Sequence, residues 1–194
     1  MNKTLLRIIG LFSVSGILLF AGISLAQSRY PSNILNMKGN FSRGAATAMG
    51  EPFQGVRTSA GKIEGLYPIR STGVSTDAIR VAADAFLVTL DNIELSRTHF
   101  AVDDPEWRDW SNVDVGIFPR RGLSLEEMDA EQKAAAWQLL QVSLSSKGLE
   151  QTRAIMRTEQ TLLELNGEPI RYGEEKYYIT MMGIPHADGP WGWQ

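Results

Sequence analysis

The spacing of apolar residues changes several times along the chain. Residues 8–23 form a nearly continuous oily run centred on Leu11, Phe12, Ile17, Leu18, Leu19 and Phe20. Residues 27–50 are rich in Ser, Asn, Gly and Ala without a clear period, which predicts a linker or loosely packed lead-in. Between Phe53 and Ile69 short apolar runs alternate with glycines, the pattern of short strands or a hairpin. Beyond Ser75-Thr76, apolar residues recur at Ile79, Ala82, Ala83, Phe86 and Leu90, one face of a helix. Asp77 suits its first turn and Asp91-Asn92 its end.

Asp104-Pro105 is a cap followed by proline at the first helical position, opening a short turn that carries Trp107 and Trp110. Residues 111–122 contain Asn, Gly and Pro and predict a loop. Ser124 and Glu127 have capping-box spacing, and Asp129 is a second cap. Ala134, Trp137, Leu140 and Leu144 mark the expected core face of the next helix, with Lys147-Gly148 as its end. A further helix over 149–165 would bury Ile155, Met156, Leu162 and Leu163 and stop at Asn166-Gly167. Residues 176–182 are β-like, and 183–194 loop-like. The expected fold is α+β: short N-terminal strands, three principal helices, and one C-terminal strand returning to the sheet.

The oily run changes the picture of where the chain works. Lys3 and Arg7 precede it, and Ser24 and Ala26 place small side chains at −3 and −1 of a cleavage site. Residues 1–26 thus predict a Sec-type signal peptide cut after Ala26, and a periplasmic or secreted product. The competing reading is an uncleaved anchor, since residues 8–26 are just long enough to span a bilayer. There is no Arg-Arg pair before the run, which disfavours the twin-arginine route. The expected organisation is a leader at 1–26, a flexible lead-in at 27–50, and one α+β domain at 51–194.

Composition adds exclusions. The chain has 19 Lys+Arg against 22 Asp+Glu, net −3. Without Lys3 and Arg7 of the leader, 17 basic side chains face 22 acidic ones, net −5. That balance argues against a nucleic-acid partner. With 0 Cys there are no disulfides, thiolate metal sites, cysteine nucleophiles or lipobox. Haem c and cysteine-bound iron–sulfur clusters are excluded with them. Gly55, Gly61 and Gly65 do not form a nucleotide-cofactor loop, and there is no G-x-S-x-G elbow.

Several pieces fall in a recognisable order: Trp107-Arg-Asp-Trp110-Ser-Asn112, Arg121-Gly-Leu123, Tyr177-Tyr178, Gly183-Ile-Pro185 and Trp191-Gly-Trp193-Gln194. Over residues 53–194 the chain resembles a domain-of-unknown-function family of secreted bacterial and fungal proteins. Its members share W-x-x-W-x-N, R-G-[LV] and W-G-W-[QR] followed shortly by G-H-H. The resemblance implies that this chain matches the N-terminal part of that domain and ends before the paired histidines. It implies no activity. A partner chain or the absent C-terminal segment is the expected complement, and a membrane partner only through an uncleaved leader.

Two surfaces carry candidate chemistry. Trp107, Trp110, Asn112, Arg120 and Arg121 are candidate ligand-binding residues. Two tryptophans three apart on a helical turn share a face that could stack on a ring; the general burial of tryptophan favours core anchors instead. Arg120 and Arg121, in a Pro-Gly loop, suit either a carboxylate or phosphate clamp or ion pairs with the acidic run at 103–109 and bonds to loop carbonyls. His99 and His186 with Asp188 are the candidate metal set, with Asp103 or Asp104 possible partners of His99. The bland reading is ordinary loop histidines, since no H-E-x-x-H or EF-hand loop is present.

Two functions follow as expectations. One is a ligand-binding or structural module built on the tryptophan turn and the arginine loop. The other is part of a metal-dependent or hydrolase-like enzyme whose histidine pair lies in the missing segment. No reaction follows from the residues.

Overall fold

The computed structural model describes residues 32–66, 73–113, 115 and 117–194. The expected leader at 1–26 and its expected cleavage site at Ala26 lie outside them, as does the end of the glycine-interrupted run. Among the described residues no helix is long and apolar enough to cross a membrane.

The class is α+β, as expected, with five helices among the described residues. Helix α1 spans Ser32–Gly50 and is followed by the hairpin of β1 (Arg57–Thr58) and β2 (Gly61–Lys62). Helices α2 (Asp77–Val88) and α3 (Asn92–Thr98) lead into β3 (His99–Phe100). A 3-10 turn, Pro105–Arg108, precedes β4 (Leu123–Ser124). Helices α4 (Ala130–Ser143) and α5 (Ser146–Asn166) then lead to β5 (Tyr178–Ile179), β6 (Met181–Met182) and β7 (Gly192–Trp193).

The extended segment 178–182 ties the sheets together. Its β5 half pairs antiparallel with β4, Leu123 opposite Ile179. Its β6 half runs parallel to β3, His99 opposite Met181, and antiparallel to β7, Met181 opposite Trp193. Thr180 between the halves exchanges backbone hydrogen bonds with Gln194 at 2.8 and 3.0 Å. The tail expected to be loop-like therefore ends in a strand, and Trp191 and Trp193 pack against the core.

That core lies between α2, α4 and the 178–182 segment. Ala82, Ala83, Phe86 and Leu90 are buried on α2, on the face the spacing predicted. They meet Ala136 and Leu139 of α4, with Leu123, Leu125, Met128, Met156, Ile179 and Met181 closing the cluster. Phe86, Leu123 and Leu139 are fully buried, each stabilising by about 1.5–3 kcal/mol through removal from water.

Several local expectations need correction. The aperiodic lead-in holds the 19-residue α1; its many glycines and alanines dilute any apolar period. Asp91 is not a stop but the N-cap of α3, bonded to the Ile93 and Glu94 amides, with Glu94 completing a capping box. Ser124 and Glu127 do bond reciprocally, but they close a turn. Helix α4 starts at the second cap, where Asp129 and Gln132 form the box. Its buried face is Gln132, Ala136 and Leu139, with Ala134 exposed. Three consecutive alanines at 134–136 leave the helical phase ambiguous in sequence, and packing on α2 chooses it. Lys147-Gly148 is the first turn of α5, capped by Ser145. On α5 only Met156 is buried, while Ile155 and Leu162 are exposed.

Candidate functional site

The site begins at the acidic–aromatic turn. The Asp104 carboxylate accepts the Glu106 amide at 2.9 Å, and Pro105 starts the 3-10 turn. Asp109 leaves helical conformation (φ −79°, ψ 59°). That break separates the two tryptophans expected on one face. Trp107 packs edge-on against Phe53, ring centroids 5.1 Å apart. Trp110 instead lines a cavity of about 450 Å³. Neither is a core anchor: Trp107 is 42% and Trp110 66% exposed. Neither is among the residues packed on the core cluster.

Asn112, Arg120 and Arg121 line the same cavity as Trp110. Of the five candidate ligand-binding residues only Trp107 lies elsewhere. Arg120 donates to the Phe118 carbonyl at 3.1 Å and the Val113 carbonyl at 2.5 Å, holding the loop in shape. Arg121 pairs with the acidic turn, its Nε 2.5 Å from Glu106 Oε1 and 3.2 Å from Asp109 Oδ2. The Nε–H is directed at Asp109, so the closer Glu106 contact is an ion pair without a directional hydrogen bond. Burial pushes the Glu106 carboxyl above its ordinary range; Arg121 opposes this, and Asp109 and Asp104 add to it.

The next residue fixes the arginine in place. Gly122 has φ +87° and donates its N–H to the Arg97 carbonyl at 3.0 Å. A Cβ there would lie 2.1 Å from the Ile179 carbonyl oxygen. Only glycine fits, because the backbone of the loop must pass directly against the 178–182 segment.

The opposite wall comes from far along the chain. Glu159 of α5, then Arg171, Tyr172, Lys176, Tyr177, Tyr178, Thr180 and Gln194 complete the lining. Arg171 pairs with Glu168 at 2.9 Å and lies 5.1 Å over the Tyr172 ring. Lys176 reaches Glu126 at 2.6 Å. Burial raises the Tyr177 hydroxyl above the ordinary phenol range, and Glu159 adds to it. Burial likewise raises Tyr178, helped by Glu127 and Glu126 and opposed by Arg120 and a hydrogen bond with Ser124. Both phenols are therefore protonated donors at neutral pH. Apart from Tyr177-Tyr178 and Gln194 in the motif set, sequence reading missed this wall, and no local pattern marks the rest.

A second concavity, about 410 Å³, lies on the other side of Asp109-Trp110. It is lined by Phe41, Ala45, Ala48 and Met49 of α1 with Arg108 and Phe118. Arg108 holds α1 by donating to the Ala48 carbonyl at 2.8 Å and the Glu51 carbonyl at 3.0 Å.

The histidines lie outside both concavities. His99 Nε2 is 2.8 Å from the Gly183 carbonyl oxygen. His186 Nδ1 accepts the Asp188 and Gly189 amides at 3.0 and 3.1 Å, shaping an exposed turn. Asp188 thus meets His186 through its amide. Among the described residues no group of three His, Cys, Asp or Glu side chains could hold a metal ion, so the structure does not gather His99, His186 and Asp188, with or without Asp103 and Asp104, into a ligand set.

The cavity therefore offers guanidinium and phenol donors, carboxylate acceptors and an exposed indole. A family model described as protein of unknown function (DUF3500) matches residues 72–194, well over half of the chain and all of the cavity lining. Searches of curated proteins and of solved structures found no match.

Proposed function

The chain belongs to the family of proteins of unknown function DUF3500, and we propose that this member is an exported module that binds a small molecule in the cavity beside Trp110. One observation carries the reading: Trp110 and Asn112 of the tryptophan segment and Arg120 and Arg121 of the arginine loop line one cavity with three tyrosines and two further cations. Its size falls within the roughly 300–1,000 Å³ of small-molecule sites. Export rests on the leader and the Ser24-Leu25-Ala26 cut.

Ligand-observed NMR against a small-molecule library tests it. We expect binders whose signals are lost in Trp110→Ala but kept in Trp107→Ala. Binding unaffected by Trp110→Ala, or no binder at all, overturns the reading. Mass spectrometry of the native protein should find Gln27 as the new N-terminus; an intact Met1 on cytosolic protein would sink the export half.

A further inference from the structure

Resting on that cavity reading, we propose that the ligand is an acidic sugar, its carboxylate on the terminal amino groups of Arg121 and its ring against Trp110. Arg121 is held through Nε alone, by Glu106 and Asp109. Its Nη1 and Nη2 carry no hydrogen bond among the described residues, and the side chain is 55% exposed. A guanidinium braced from behind, with its two amino groups open, matches the planar pair of oxygens of a carboxylate. The bracing also lowers the ordering cost of binding.

Trp110 supplies a flat apolar face in the same cavity, suited to the C–H face of a ring. The remaining polar groups decide which ring. Glu159 faces the cavity with no hydrogen bond or ion pair among the described residues, and the Tyr172 and Tyr177 hydroxyls likewise have no hydrogen-bond partner. A carboxylate only accepts, so the ligand must bring O–H or N–H donors to Glu159. A polyhydroxylated ring does this; an aromatic acid does not. A phosphate dianion brings no donor either. The tyrosines donate to ring hydroxyls, and each hydroxyl donates onward.

Isothermal titration calorimetry on the full chain tests the assignment. The probes are D-glucuronate, D-galacturonate and N-acetylneuraminate against D-glucose, D-galactose and benzoate. We expect at least one acidic sugar to bind at least tenfold more tightly than the neutral sugars and benzoate. Arg121→Gln should remove the preference for acid over neutral sugar. Glu159→Gln should weaken sugar binding without changing the affinity for benzoate, with circular dichroism confirming that both variants fold. Equal affinity for acidic and neutral sugars, or tighter binding of benzoate, overturns the acidic-sugar class and leaves the binding module standing. So does a library hit of another class that depends on Trp110 when all three acidic sugars fail. If no compound binds in the cavity, both fall together.

Discussion

Asp109 and Trp110 divide two concavities of nearly equal size, about 450 and 410 Å³, and the two are built in different ways. The polar one is walled by the arginine loop, α5 and the 178–182 segment, with Arg121 locked between two carboxylates and Gly122 pressed against Ile179. The apolar one is walled on one side by α1, tied down by two hydrogen bonds from Arg108 and by the Phe53–Trp107 contact beyond its end. The lesson is that similar volumes differ in how firmly they hold their side chains. A wall continuous with the core presents fixed groups to a ligand; a wall made of one tethered helix can shift.

The largest test of that contrast is Gly122→Ala. The added methyl group would collide with the Ile179 carbonyl at a φ that other residues rarely adopt. We expect a loss of at least about 3 kcal/mol in chemical denaturation. A change within 0.5 kcal/mol, a rough threshold for neutral substitutions, would show that the polar cavity is not anchored in the core. Arg108→Ala should act only on the other concavity. Amide hydrogen exchange in α1 should speed up about tenfold, equal to about 1.4 kcal/mol, while amides around Gly122 keep their protection. Equal acceleration on both sides would erase the distinction.

The smallest effect concerns Glu127, whose carboxylate holds Ser124 of β4, the strand partner of the cavity-lining Tyr178. Burial would raise its carboxyl, but the Ser124 hydroxyl and amide and the Arg97 guanidinium outweigh that and hold it below its ordinary range. A lowered folded-state pKa means stability that is present above the unfolded pKa and lost as pH falls through the folded one. The Arg97 pair is open to solvent and screened, so Glu127→Gln should cost no more than about 1 kcal/mol at neutral pH, most of it from the Ser124 hydrogen bonds. The gap to wild type should close as pH falls through the carboxylate range. A gap that widens in acid reverses the assigned direction.

Local signals were legible where one stretch of chain decides the outcome. The Asp104-Pro105 start, the buried face of α2 and the Gly167 end of α5 could all be read from neighbouring residues. The Asp91/Glu94 box was equally readable, but Asp91-Asn92 also looks like a helix end. The phase of α4 was not readable, because Ala134, Ala135 and Ala136 fit several faces equally. One wall of the cavity was legible in Trp110, Asn112, Arg120 and Arg121. Glu159, Arg171, Tyr172 and Lys176 read as ordinary polar residues.

By itself, the sequence determined a leader-like front end, the absence of cysteine chemistry, an α+β pattern and a family resemblance. Each of these depends on residue type and near spacing. Only the tertiary structure decided that Trp110 and Trp107 part company and that Arg121 is braced by Glu106 and Asp109. It alone set α5 and the 178–182 segment across from them. Those outcomes depend on side chains brought together by core packing from up to 85 positions apart, as Asp109 and Gln194 are across the cavity, and no local period encodes such a meeting.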